Sequence, residues 1–525
     1  MANRSGWRRF ARLVLGAVLT TACNGPAIPS LAGDDPAAAV PAQPEAVWIG
    51  GASDLFKARF GRLRFRTRDG KRLSVYIYRA TGFDQKEGPI WFVMHGAKRN
   101  ARRYLNAAAP VAERYRALAV VIEFSRREYP HGNDYTLAVT SDGLVDESAW
   151  QEGRWRKPKE YLYTEIERLF DAVRCSLGGR QPGYYLFGHS AGAQFTHRLL
   201  TFMPGTRVLG AVAANAGWYT LPVRNKGARF AIPYGLFGGP PLDLESLLAA
   251  PLTLLLGTRD TATSSSDPLL RGTPEAMAQG ATRLQRGTNY FETGGRVSAT
   301  IGAPFGWRLV LAPGARHRLT EVITSAGYLL FQNDKPPCQS GSETDNGALV
   351  INEVLADPPR GTHGDVNHDG VRSARDDEFV EIVNSGATPV CLAGWTLTDA
   401  NGRLRHLFPL GRVLEPGKAL VIFGGGVPTG RFGKADVQWT TSDKGLSLTN
   451  AGDVLTLRDP DGVVVDRISW GDCASKPCAK EHMEVGLALS GSLVRWPELV
   501  GSLRLHRDVA GSNFSPGLRV DGSVW

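Results

Sequence analysis

The chain has no apolar run of about 18 residues or more, and its mean hydropathy is −0.19, which excludes a multi-span helical membrane protein. No basic run exceeds three residues, so nothing reads as a nucleic-acid-binding stripe. Cysteine is scarce, with six in 525 residues, and no Cys-x-x-Cys occurs, which argues against a thiolate metal site. No internal repeat is visible. Glycine (61) and proline (32) are plentiful, and they favour many turns and short strands over long helices. The 42% hydrophobic and 21% charged content is that of a folded protein, not a disordered one. At roughly 100–200 residues per domain, the length predicts two to four domains.

The formal charge of +10 is partly that of the leader. Arg4, Arg8, Arg9 and Arg12 lie in the first 32 residues, which carry no acid, so the rest of the chain is +6. That mild excess suits an anionic polymer or surface without requiring one. The same region reads as an export signal: a basic start, a short apolar core at Leu13–Leu19, then small residues. Two cleavage sites compete. Cys23 after Ala22 resembles a lipoprotein motif, although Thr20 departs from it. Ser30-Leu31-Ala32 suits ordinary signal peptidase. Both imply an extracellular, periplasmic or cell-surface protein, with membrane attachment only through a lipid on Cys23. An oxidising compartment permits disulfides. Cys473 and Cys478 are close enough to pair, Cys175 with Cys338 is a second pairing, and Cys391 has no assigned role.

Composition divides the remainder. Residues 33–47 form a Pro/Ala/Asp-rich leader, and 337–346 a polar, turn-rich linker. Between them, 48–336 alternates apolar strand-like runs with helical spacing. Leu63–Thr67 and Leu73–Tyr78 flank the hairpin signal Asp69-Gly70. Ile90–Met94, Ala117–Phe124, Tyr184–Phe187, Gly210–Ala214, Leu252–Leu256 and Trp307–Leu311 follow, with a helix predicted over Lys159–Ser176. This predicts a mostly parallel sheet with helices on both faces. Residues 347–525 carry short strands broken by Gly, Pro, Asp and Asn, including Leu446–Leu448, and predict an all-β sandwich.

Gly188-His189-Ser190-Ala191-Gly192 is a Gly-x-Ser-x-Gly pentapeptide between a strand-like run and a helix-like one. Such a turn lifts the serine hydroxyl above the sheet and puts the Ala191 N–H at a helix start, where an oxyanion is favoured. A serine needs a base. Downstream, Asp260 and His317 follow Leu252–Leu256 and Trp307–Leu311 on loops at strand ends, giving the order Ser190, Asp260, His317. Asp267 is the rival acid. His189 and His197 read as supporting or packing residues. His95-Gly96-Ala97 follows Ile90–Met94, and the Ala97 N–H is the second oxyanion donor. Arg99, Arg102 and Arg103 fit either a solvated helix face or contact with an anionic substrate. Trp218 and Tyr219 fit either a substrate pocket or packing.

These motifs, in this order, resemble the α/β-hydrolase-fold esterases, and among them the secreted branch of polyhydroxybutyrate depolymerases and feruloyl esterases. The resemblance implies a serine esterase acting on a small ester or a polymer end.

In the second unit, Asp365-Val-Asn367-His-Asp369-Gly370-Val371-Arg-Ser373-Ala-Arg-Asp376 has the spacing of an EF-hand-type calcium loop. Asp365, Asn367, Asp369, the Val371 carbonyl, Ser373 and Asp376 are the candidate ligands. Asp377 is an alternative to Asp376, and a polar turn without metal is the other reading. Leu349–Asp357, Glu378–Asn384, Leu392–Asp399 and Asn513–Gly517 resemble the lamin-tail domain, which implies an immunoglobulin-like sandwich acting as an attachment module for a cell-surface or polymer ligand. Two other readings stay open: a surface binding protein on an inactive hydrolase fold, and a serine peptidase.

Overall fold

The computed structural model describes residues 48, 58–137, 155–227, 230–331, 349–442, 444–472, 479–483 and 491–525. The export-signal region with Cys23, the 33–47 leader, the 337–346 linker, and Cys338, Cys473 and Cys478 lie outside the described residues. Among the described residues no cysteine is free, and Cys175 and Cys391 are each disulfide-bonded, which gives Cys391 a structural role. Among these residues no helix is long and apolar enough to cross a membrane.

The N-terminal unit is built on eight strands: β1 Phe60–Arg66, β2 Arg72–Arg79, β3 Ile90–Met94, β4 Leu118–Glu123, β5 Tyr184–His189, β6 Val208–Ala214, β7 Leu252–Gly257 and β8 Arg308–Ala312. Their order is β1-β2-β4-β3-β5-β6-β7-β8. The β1–β2 hairpin is antiparallel, β2 meets β4 antiparallel, and every later pairing is parallel. The central strands β3 and β7 are buried throughout, as expected for a sheet covered on both faces. A parallel array matters for the site, because β5, β7 and β8 all deliver their C-terminal loops to one edge.

The helix predicted over 159–176 divides. Pro158–Glu160 forms a 3-10 turn, and the α-helix runs from Thr164 to Leu177. Proline fixes the first turn, and Gly178 ends the helix in a left-handed conformation at φ 58°.

The C-terminal unit begins with β9 Leu349–Leu355, β10 Phe379–Asn384, β11 Val390–Cys391, β12 Thr396–Thr398 and β13 Leu404–Leu407. It continues with β14 Val413–Leu414, β15 Ala419–Phe423, β16 Asp436–Trp439, β17 Gly452–Arg458 and β18 Val464–Gly471. The last strands are β19 Glu481–Met483, β20 Leu493–Trp496 and β21 Ser502–Leu505. Two sheets, β16-β15-β10-β9-β20-β21 and β13-β12-β17-β18-β19, enclose a core that includes Trp395 and Trp470. Leu446–Leu448 is not a strand. Leu446 and Leu448 fill this core from an irregular segment, and Ser447 between them takes φ 52°. Burial alone made that stretch look extended.

The sandwich buries carboxyl groups in its central strands. Glu353 and Glu381 face each other across β9 and β10 and are fully buried, and burial holds both above the usual carboxylate range. Glu378 is pushed up to about 8 by burial, and its Oε2 has no hydrogen-bond partner. A carboxyl raised in the fold stabilises it below the unfolded value, and that contribution is lost as pH rises through the folded one. The melting temperature should therefore fall from about pH 5 to about pH 8, with a shallower slope in Glu378→Gln. Thermal melts across that range check this; identical slopes would remove Glu378 from the account.

Candidate active site

β5 ends at His189, and the next helix, Ala191–Phe202, starts immediately after Ser190. Ser190 itself sits at φ 60°, ψ −116°, a strained region for a non-glycine residue. The flanking glycines have steric reasons. A Cβ on Gly188 would overlap the Gly192 carbonyl, and one on Gly192 would overlap the Met94 carbonyl at the end of β3. The elbow is thereby pressed against the loop that follows β3. A Cβ on Gly96 would stand 3.7 Å from Ser190 Cβ, so His95-Gly96-Ala97 runs beside the serine. Ala191 is the first helical residue, and its N–H has no intrahelical acceptor.

His95 braces this loop. Its Nε2 accepts from the Phe124 N–H at 3.0 Å, so Nδ1–H donates to the Gly96 carbonyl at 3.1 Å. Complete burial, with the nearby Arg99 charge, lowers it to about 3, and it stays neutral. Arg99 is neither a solvated helix residue nor exposed to a ligand. It is buried, lies over the Tyr135 ring, and donates to the carbonyls of Phe124 and His131. Arg102 and Arg103 are the exposed members of that cluster.

β7 and β8 deliver the other two groups. His317 Nε2 lies 3.0 Å from Ser190 Oγ, and His317 Nδ1 lies 2.7 Å from Asp260 Oδ2. The carboxylate fixes the proton on Nδ1 and leaves Nε2 to accept from the serine hydroxyl. The two loops are stapled together. Thr258 N–H donates to the Ala312 carbonyl, Arg259 N–H to the Ala315 carbonyl, and Gly314 N–H to Thr258 Oγ1. Asn215, at the end of β6, joins both: Oδ1 accepts from Gly257 N–H at 2.8 Å, and Nδ2 donates to the Arg316 carbonyl at 3.4 Å.

The rival acid, Asp267, is bonded to Arg283, whereas His317 Nδ1 is bonded to Asp260. Arg283, buried at the start of the helix Arg283–Ile301, donates to Asp267 Oδ2 at 2.6 Å and to Asp260 Oδ1 at 3.4 Å. Burial would raise Asp267, but the Arg283 hydrogen bond and charge outweigh it and hold it below the usual range. Arg283 carries no sequence cue, because Thr282 to Gln285 reads only as a helix cap. His189 and His197 are buried, and burial holds both well below the ordinary histidine range. Tyr219 is core, stacked on Tyr290 with centroids 4.6 Å apart. The guanidiniums of Arg198 and Arg271 lie over the Trp218 ring, 4.1 and 4.6 Å from its centroid. A cleft of about 520 Å³ between residues 221–225, Phe230 and the Arg283–Ile301 helix contains none of Ser190, Asp260 or His317.

In the second unit, the loop from Asp365 turns sharply at Gly370, φ 88°. Asp365 and Asn367 accept from the Asp369 N–H, and Asp369 accepts from the N–H groups of Val371 and Val427. Ser373 Oγ accepts from the Asp376 N–H, and Asp376 carboxylate pairs with Arg375. Asp377 is the inward residue, accepting from the N–H groups of Asn367 and Ser373. Burial, aided by the charges of Asp365 and Asp376, raises Asp369. Among the described residues no three His, Cys, Asp or Glu side chains are grouped to hold a metal ion.

The arrangement separates the two acids experimentally. Asp260→Asn should lower kcat for an ester by about 10⁴-fold, since the imidazole loses its tautomer. Asp267→Asn should change it by less than about ten-fold. Steady-state kinetics check the pair; the reverse order would exchange their roles.

Residues 342–472 match the model of the lamin tail domain family, and the sandwich continues past them through β20 and β21. Poly(aspartic acid) hydrolase-1 from Sphingomonas sp. KT-1 is 36% identical, with 52% of this chain and 98% of that chain aligned and a TM-score of 0.47. LpqC, a poly(3-hydroxybutyrate) depolymerase from Bordetella parapertussis, is 31% identical over 53% of this chain and 90% of that one, also with a TM-score of 0.47. Comparison with curated proteins finds no match. With its eight-stranded sheet, its elbow and these relatives, the N-terminal half of the chain belongs to the α/β hydrolases, and the C-terminal half carries a lamin tail domain.

Proposed function

We propose that the protein is an exported, serine-dependent carboxylic ester hydrolase working through an acyl-enzyme. The observation that carries this reading is the hydrogen-bonded line Ser190–His317–Asp260, at 3.0 and 2.7 Å. Ser190 Oγ bonds to the ester carbonyl carbon as its proton passes to His317 Nε2. The N–H groups of Ala97 and Ala191 receive the oxyanion. The C–O bond then breaks, and the imidazolium returns the proton to the departing alkoxide. Water repeats the sequence on the acyl-enzyme and frees Ser190. Asp260 stabilises the imidazolium. His189, whose ring centroid is 4.8 Å from that of His317, stays neutral through burial and adds no opposing charge.

The substrate we propose is a small ester or the end of a polymer chain. Amide cleavage is a second reading, because the Sphingomonas relative is named for poly(aspartic acid). The exposed Arg102 and Arg103, on the helix after the oxyanion loop, favour a chain bearing carboxylates. Export rests on the basic start and Leu13–Leu19, with lipid attachment at Cys23 as its variant. The lamin tail domain is proposed to attach the enzyme to a surface or polymer. Calcium is proposed for the Asp365–Asp377 loop, where the charges of Asp365 and Asp376 bear on Asp369 and a hard cation would relieve that repulsion.

Hydrolysis of short p-nitrophenyl esters, beside Ser190→Ala, tests the chemistry. Turnover lost with Ser190 is expected. Its acid limb should titrate one proton, since burial keeps His95, His189 and His197 neutral. Equal turnover by the variant would remove the triad reading. For calcium, the expected result is a higher melting temperature with the ion that Asp365→Asn abolishes; melts indifferent to calcium and chelator would discard it.

A further inference from the structure

We propose that the lamin tail domain holds the His317 loop in its working position, so that Leu407 and the Thr441 carbonyl are positioning groups of the active site. This rests on the reading of His317 as the base. Four residues of the sandwich, Cys391, Ala393, Leu407 and Leu410, are buried in the hydrophobic core of the hydrolase unit and not in the sandwich's own core. The two units share a packed interior there, unlike a module hung on a flexible tether.

That shared interior falls on the segment carrying His317. A Cβ on Gly314 would stand 3.1 Å from Leu407 Cδ1, and one on Gly394 would stand 2.8 Å from Pro313 Cβ. Pro313-Gly314 therefore lies against the sandwich just before the histidine. Just after it, Thr320 Oγ1 donates to the Thr441 carbonyl at 2.7 Å, and Ser325 Oγ accepts from the Leu410 N–H at 3.2 Å. Arg114 anchors the same face through Asp436 at 2.6 Å and the Val437 carbonyl at 3.2 Å. Within the loop, Glu321 accepts from the Arg316 N–H at 2.6 Å and pairs with its guanidinium at 2.7 Å. The restraint thus passes from Thr441 through Thr320 and Glu321 to the residue beside His317.

The inner side of the loop is tied to Thr258, Arg259 and Asn215. The sandwich closes its outer side. A surface loop with one free side opens easily, and a misplacement of about 1 Å in a catalytic group can cost about 10²-fold in rate. The hydrolase unit alone would carry the three reacting residues with the histidine loosely held.

The test uses the full chain and three variants that leave Ser190, Asp260 and His317 intact: Thr320→Val, Thr320→Ser and Leu407→Ala. Two quantities are read: kcat and KM on a p-nitrophenyl ester, and the low-field proton resonance of His317 Nδ1–H, which needs no substrate. Thr320→Val and Leu407→Ala should lower kcat about ten-fold with KM unchanged, and should weaken the resonance. Thr320→Ser, which keeps the hydroxyl, should restore both. Wild-type kcat and an intact resonance in a folded Thr320→Val protein would overturn the proposal, and this variant decides if Leu407→Ala fails to fold. Should the wild type turn over no ester, the proposed reaction fails by itself, and the resonance still decides the positioning claim.

Discussion

Ser190 occupies a backbone conformation that ordinarily costs about 1–3 kcal/mol, and the site depends on that strain being held. The hold is steric and local. Gly188 and Gly192 allow the elbow to fold on itself and against Met94. The Ser190 N–H donates to the Ala214 carbonyl of β6, and the Ser190 carbonyl accepts from the Gln194 N–H. Relaxing the turn would break these bonds and withdraw the hydroxyl from His317. The same turn starts the Ala191–Phe202 helix directly after Ser190, which places the Ala191 N–H where the oxyanion is proposed to bind.

The parallel sheet supplies the remaining alignment. Because β5, β7 and β8 run the same way, Ser190, Asp260 and His317 arrive at one edge although 127 residues separate the first from the last. Three buried histidines of the same unit, His95, His189 and His197, are kept neutral by desolvation. They therefore add no positive charge to oppose the one proposed to form on His317. Arg283 keeps a second acid, Asp267, occupied a short distance away.

Much of this is legible in the sequence. Strand–turn–helix around Ser190, and an acid and a histidine each following an apolar run, are local patterns with a local physical cause. The four lamin-tail motifs likewise marked the sandwich. What escaped is non-local. Arg283 reaches Asp260 from a helix whose sequence shows only a cap. Asn215 tightens two loops from a third strand end. Leu446–Leu448 has the composition of a strand, yet it packs in irregular backbone because only its burial, not its pairing, is written in the residues. Arg99 shares a sequence cluster with Arg102 and Arg103, yet it is buried and takes a left-handed φ of 58°. The contact between Pro313, Gly314 and Leu407 joins residues too distant in sequence for any pattern to connect.

The central claim is that Ser190 becomes covalently acylated with His317 as its base. Rapid acid quenching of the enzyme during turnover of a p-nitrophenyl ester, followed by intact mass measurement and peptide mapping, tests it directly. The account predicts one acyl group on the peptide containing Ser190, formed with the burst of nitrophenol and absent from His317→Ala. Turnover without a protein-bound acyl group, or an acyl group on another residue, would contradict it.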